Sequence, residues 1–306
     1  MATTTDHTPI SRPVMGALLA CCAMAVFSSL DAFFKLMLDS YSVFVILLFR
    51  SVALVPLISL LVWKNNGLAG FKTAKLPLQL LRGGLLLSMF LMFFTGLQYL
   101  DLATAITLTF AAPLFTTLLS IPLLGEKVGI HRLGAVIVGF GGVIVILHPD
   151  GDVFGWPALL CLAATLCYSL AMILTRKLGS TEGLTSLVFY QNIVFLIAGL
   201  ILAPTDWTPV PFPDAYYLLG AGVVTLAAHL AITQAYRIAP PPAIASFDYT
   251  TLIWGMILGW LIWQEVPSPL TLVGAGVIIV AGLYVIFREA RTGRKKVPAQ
   301  PAKPPL

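Results

Sequence analysis

The sequence predicts an all-α integral membrane protein, with ten transmembrane helices arranged as two five-helix repeats of inverted topology. Three observations carry that expectation. The chain of 306 residues is 58% hydrophobic and only 10% charged, with a mean hydropathy of +0.94, which excludes a soluble domain. Apolar runs of roughly 20 residues recur along it, each long enough to cross a ~30 Å hydrocarbon core as a helix. The same pattern of runs also occurs twice, with an odd number of runs in each copy.

The helices are expected at about 14–38, 42–63, 77–99, 103–124, 131–147, 154–176, 184–203, 214–236, 242–263 and 269–288. A polar segment, 1–13, precedes the first run. That run is too long for a signal-peptide core and lacks a small-residue cleavage site, so it stays as the first span. Connections are short and carry Pro, Gly or Asp, as in 148–152 and the Pro- and Trp-bearing 204–213. The fourth helix contains Pro113 and the ninth starts after Pro240, Pro241 and Pro242. A proline either kinks a helix for shape or frees a carbonyl that an ammonium group can use. The fifth and tenth helices are glycine-rich. A basic, proline-rich segment, 289–306, follows the tenth. Cys21, Cys22, Cys161 and Cys167 all lie inside apolar runs with no polar partners at ligand spacing. They read as small core residues, and neither a metal nor a cofactor is expected.

The duplication is legible residue by residue. ALLACCAMAVFSS from Ala17 aligns with ALLCLAATLCYSL from Ala158, so Phe27-Ser28 falls on Tyr168-Ser169 and Phe49-Arg50 on Tyr190-Gln191. Further along, Glu126 matches Glu265, Thr116 matches Gly255 and Ser120 matches Gly259. The repeats span 14–147 and 154–288. The small matched pairs permit close helix contact, within one chain or between two, so a monomer and a homodimer both remain open.

Of the 18 Lys and Arg, all but Lys35 and Arg50 fall on one side, in loops or at their edge, when the N-terminus is placed in the cytoplasm. The positive-inside rule then fixes both termini as cytoplasmic, in a cell inner membrane. Five helices per repeat force the second repeat to enter upside-down. Inverted halves that rock against each other expose a midplane site to either side in turn. The net charge of +5 is thus a topology signal, and nucleic acid is excluded as a partner.

Charges within the spans each need an account, since a charged side chain costs ~2.5–3.5 kcal/mol at a helix centre on insertion scales. Asp31 and Arg50 lie at similar depth on consecutive helices, so an ion pair is expected, with Lys35 one turn above Asp31 and free to snorkel outward. Such a pair either locks two helices or serves as a gate or substrate anchor. Thr225, His229, Thr233 and Tyr236 form a polar stripe on the eighth helix. Asp248 on the ninth is expected at the depth of His229, as a hydrogen-bonded neighbour that would bind a substrate ammonium and titrate with it, a proton route if transport is proton-linked. The competing account is a packing hydrogen bond. Phe27, Phe94, Tyr168 and Trp254 are candidate aromatic linings, though each taken singly is as well explained by packing.

The doubled pattern of a proline-bearing helix ending in LLGEK, followed by GAVIVGFGGVIVIL, resembles the EamA repeat of the drug/metabolite transporter superfamily over nearly the whole chain. The resemblance implies ten helices around a central cavity lined by helices 1, 3, 4, 6, 8 and 9. It also implies transport of small metabolites, often export of aromatic or neutral amino acids, with metabolite or vitamin uptake as the alternative within the same superfamily. The second repeat departs from the pattern: WQEVP stands where LGE is usual, and Pro113 has no twin. No P-loop, HExxH or GxSxG is present, which argues against ATP drive and against a membrane-embedded enzyme.

Overall fold

A computed structural model describes residues 12–125, 128–147, 155–178, 181–238, 244 and 246–294. Among them there are helices and short connections and no strand. The helices are α1 (Arg12–Met37), α2 (Val43–Asn66), α3 (Leu76–Leu97), α4 (Leu102–Thr109), α5 (Ala112–Leu124) and α6 (Ile130–Leu147). The second repeat supplies α7 (Trp156–Leu178), α8 (Leu184–Leu202), α9 (Phe212–Ile238), α10 (Thr250–Trp263) and α11 (Pro269–Arg294). Eight stretches are long and apolar enough to cross a membrane, with α4 and α5 counted together as Leu102–Leu124. The apolar part of α11, Pro269–Val285, is shorter. The chain is a multi-pass membrane protein. We call the end of the bundle where α1 begins the near end, and the opposite one the far end.

The closest helix pairs cross from one repeat to the other: α3 lies on α7, α6 on α11, α2 on α8 and α1 on α9. Packing inside a repeat, such as α2 on α3, is slight. Each repeat therefore buries its helix faces mainly against its twin.

Small residues set these approaches. A Cβ on Gly83 of α3 would lie 2.7 Å from the Val194 side chain of α8, and one on Gly222 of α9 would lie 2.7 Å from the Arg50 carbonyl and 3.0 Å from Ala53 of α2. Each repeat thus supplies one glycine to a contact with the other, Gly83 of α3 against α8 and Gly222 of α9 against α2. Where α6 crosses α11, a Cβ on Gly142 or Gly274 would meet the other's carbonyl at 2.9 or 2.6 Å. Gly255 packs on Ile106 and Gly259 against Leu102 and Glu265, so these small residues are used within the chain. Cys161 is buried in the core and the four cysteines are free thiols.

The fourth span is broken beside Pro113, between α4 and α5. The proline stands in the first turn of α5, where its missing N–H leaves the ladder interrupted between Thr109 and Ala112. The second repeat breaks at the same place without a proline: Ser246–Tyr249 forms a single 3₁₀ turn before α10. These four residues are the twins of 107–110, and the twin rings of Phe110 and Tyr249 meet edge to face with centroids 5.1 Å apart. Pro242, the other expected kink, lies outside the described residues.

Candidate functional site

Three polar groups interrupt the apolar interior, stacked from the far end toward the near end. At the far end Lys35 does not snorkel outward. It is 7% exposed, and its Nζ donates to the Leu100 carbonyl at 2.9 Å and forms an ion pair with Glu265 at 2.5 Å. The ammonium also sits 4.7 Å from the centre of the Trp263 ring. Glu265 uses its second oxygen to accept the Leu102 N–H at 2.9 Å, capping the first turn of α4. One carboxylate thus joins α1, the α3–α4 connection and the end of α10. Its repeat twin Glu126 lies outside the described residues.

The expected Asp31–Arg50 ion pair is not formed; among the described residues the ion pair is Lys35–Glu265. The physical reason is visible around Arg50, whose guanidinium lies over the rings of Phe90 and Phe195, at 5.1 and 5.7 Å, and so turns toward α3 and α8. Asp31 remains close enough to feel that charge through space. Arg50 instead faces a closed cavity of about 10 Å³ between α2, α8 and α9, lined also by Gln191, Asn192 and His229. Arg50 and Gln191 are repeat twins, each the eighth residue of its helix, so about 10 Å of helix separates each from its own starting end. The cavity sits at the middle of the bundle.

His229 gives its Nδ1–H to the Thr225 carbonyl at 2.8 Å and meets the edge of Phe27, with centroids 5.1 Å apart. That places it with Arg50 and Phe27. Asp248, in the 3₁₀ turn, falls instead with Tyr168 and Arg82, near enough for both charges to act on the Tyr168 phenol. The expected His229–Asp248 pair is therefore divided between two groups. Asp248 and Tyr168 are surface-accessible, Tyr168 at 39% exposure, although protein surrounds both densely. Trp254, partly accessible on α10, holds a buried indole N–H that has no acceptor among the described residues. Phe94 belongs to the aromatic core with Phe34, Phe90 and Phe93. The side chain of Thr233 lies outside the described residues.

Arg82 was not singled out by sequence. Its place near a loop assigned it to the near-end surface, yet it is 5% exposed and wedged between α3, α7 and α8. It donates to Thr175 at 2.6 Å, to the Leu187 carbonyl at 3.1 Å and to the Gln191 side chain at 3.4 Å. Gln191 is thereby the link between the two arginine groups. Nearer the surface, Glu182 accepts from Thr73 at 2.8 Å and Gln79 at 3.5 Å, and Tyr190 donates to the Phe71 carbonyl at 2.6 Å. These bonds tie the α2–α3 connection to α7 and α8. A separate crevice of about 910 Å³ opens sideways between α1, α2 and α9; its walls are aliphatic and aromatic, including Tyr216 and Tyr217.

The EamA-like transporter family model matches the chain twice, over residues 14–148 and 155–288. The chain belongs to the EamA-like transporter family. A riboflavin transporter of Vibrio cholerae is 29% identical over 93% of this chain and 97% of its own length. An S-adenosylmethionine uptake transporter of Rickettsia prowazekii is 30% identical over 82% of this chain and 84% of its own. A pseudopaline exporter of Pseudomonas aeruginosa is 27% identical over 90% of this chain and 97% of its own. The EamA match places one family repeat on each side of the interlocked packing. The polar groups draw on both repeats at once: Arg50, Arg82 and the neighbouring ring of Phe27 come from the first, and Tyr168, Gln191, His229 and Asp248 from the second.

Proposed function

We propose that this EamA-family protein is a secondary transporter that moves a small amphipathic organic metabolite across the plasma (inner) membrane by alternating access, with its near end in the cytoplasm. The observation that carries this reading is the accessible pair Asp248 and Tyr168, set densely among protein beside Arg82. Tyr168 offers a ring face to a planar or apolar moiety, with Phe27 and Trp254 as further candidates, and Asp248 offers an acceptor to an ammonium, amide or hydroxyl group. The relatives carry riboflavin, S-adenosylmethionine and pseudopaline, solutes with both kinds of surface. Those names favour metabolite or vitamin transport over amino-acid export. Amino-acid export stays as the second reading because Asp248 suits an α-ammonium group.

Flux into and out of proteoliposomes, with labelled riboflavin, S-adenosylmethionine and aromatic or neutral amino acids, decides between them and gives the direction. An imposed pH gradient in the same assay tests proton coupling, for which buried His229 is the candidate base. Asp248→Asn keeps size and hydrogen bonding while removing charge. A tenfold or greater fall in apparent affinity for a cationic solute is expected, since a buried charge-assisted hydrogen bond is worth about 1.5–3 kcal/mol. Unchanged affinity in folded Asp248→Asn protein would remove the binding role. Orientation is tested by cysteines placed at Lys72 and Val266 in a background without native cysteine. Labelling of both from the same face would overturn the inverted repeat.

A further inference from the structure

We propose that the closed cavity between α2, α8 and α9 is an anion site, built by Arg50 and Gln191 to take a single carboxylate or halide-sized anion. Donors and acceptors are the first reason. Arg50 is 8% exposed, and none of its five N–H groups has a protein acceptor among the described residues; its Nε is fully buried. Gln191 spends its side-chain oxygen on Arg82, which fixes the amide so that its NH₂ is left to donate. Asn192 gives its NH₂ to the Val188 carbonyl at 2.8 Å and keeps one unpartnered oxygen, Oδ1. His229 has its Nδ1–H committed to Thr225. The unspent capacity is therefore dominated by donors and carries a full positive charge.

Setting is the second reason. The cavity is small, about 10 Å³, about the room of one water, so a halide or a carboxylate enters it only as its walls give way. It is also walled by Leu54, Val188 and Leu226, which keep the local dielectric low and strengthen any charge-assisted bond. A bare guanidinium in such a place is costly. Asp31 acts on it only through space, and the Phe90 and Phe195 rings, with centroids 5.7 Å apart, stand together on one side of it and accept none of its N–H groups in a hydrogen bond. Those N–H groups are left for an anion, and a guanidinium can hold a carboxylate with two of them at once. Two sources share that chemistry: a free inorganic or formate-like anion, and the carboxylate of a transported solute. The second source rests on the transport reading above; the site itself does not.

The test uses full-length protein in detergent or nanodiscs, with sodium formate or sodium bromide replacing sodium gluconate at constant ionic strength. Wild type should show a saturable rise in melting temperature. Asn192→Asp places a fixed carboxylate beside Arg50, so it should melt no lower than wild type in gluconate and should lose the formate and bromide response. Gln191→Leu, which leaves Arg50 intact, should weaken half-saturation by about tenfold, the worth of one charge-assisted bond. A flat response in wild type overturns the site, as does a response that survives unchanged in Asn192→Asp. Formate added to the flux assay separates the sources. Competition with solute identifies the solute's own carboxylate as occupant, and formate binding without competition identifies a free anion. A flux screen that finds no substrate leaves the melting result to be read alone.

Discussion

Lys35 and Arg50 are both cations buried in the helical bundle, and the protein treats them in opposite ways. Lys35 is closed by a carboxylate, a carbonyl and a ring, and nothing of it is left to bind a solute. Arg50 is given two ring faces and a cavity, with no hydrogen-bonded counterion among the described residues. A cation whose every donor is spent holds helices together. On the anion-site proposal, a cation whose donors are kept open at the centre of the bundle is poised for something that arrives. The far-end lock and the central cavity would then be a structural and a functional use of the same kind of charge.

The sharpest way to break that contrast is Glu265→Gln. It leaves Lys35 buried without its carboxylate, and removing one member of a buried pair costs about 3–5 kcal/mol. The 18% exposure of the Glu265 side chain puts the expectation at the low end of that range. Melting temperature in detergent should fall clearly, and Lys35→Met combined with Glu265→Gln should recover much of the loss. The matching cycle of Asp31→Asn with Arg50→Gln should show a smaller coupling, because those two side chains share no hydrogen bond. Equal coupling in the two cycles would erase the distinction between a spent and an open cation.

A weaker effect is expected from the two inter-repeat glycines. Gly222→Ala pushes a methyl to within 2.7 Å of the Arg50 carbonyl, which is backbone and cannot turn aside. Overpacking of this kind costs about 1–3 kcal/mol. Gly83→Ala meets only side-chain atoms of Val194, Cγ2 at 2.7 Å and Cβ at 3.1 Å, and no backbone atom, so its cost should be somewhat smaller. If the two substitutions lower the melting temperature equally, the backbone of α2 at Arg50 is not held as tightly as the structure indicates.

Much of this architecture was legible in the sequence, because membrane insertion is written in composition and length. The spans, the duplication and the break at Pro113 all follow from local rules. What was not legible is which faces meet. Hydropathy says that a helix is buried in lipid or protein without saying against what, so the interlocking of the repeats and the Lys35–Glu265 pair, 230 residues apart in sequence, were out of reach. A signal for that pair did exist: Lys35 and Glu265 lie at the same end of the bundle, just inside and just outside their helices. Arg82 was misplaced because proximity to a loop cannot separate a surface cation from one turned inward onto Thr175 and Gln191. The second break was missed because it uses a 3₁₀ turn in place of the proline its twin has.

The smallest expected effect is a pH dependence at the edge of the far-end lock. Asp101 precedes α4 and lies beside Glu265 and Lys35. Burial, reinforced by the Glu265 charge and opposed by Lys35, pushes its carboxyl above the ordinary value of 3.8. The folded state therefore holds this proton more tightly than the unfolded chain does. The contribution from Asp101 is fully present below the unfolded value and is lost as pH rises through the raised folded value. Asp101→Asn cannot ionise and keeps a residue that suits the start of a helix. The variant should match wild type in melting temperature near pH 4 and gain on it as pH is raised toward 7. Glu265 is one source of the upward push, so the same comparison in a Lys35→Met, Glu265→Gln background should show a smaller gain. A gain that is independent of pH would mean that the Asp101 carboxyl is solvated like an ordinary surface acid and that the influence of the lock ends at Glu265.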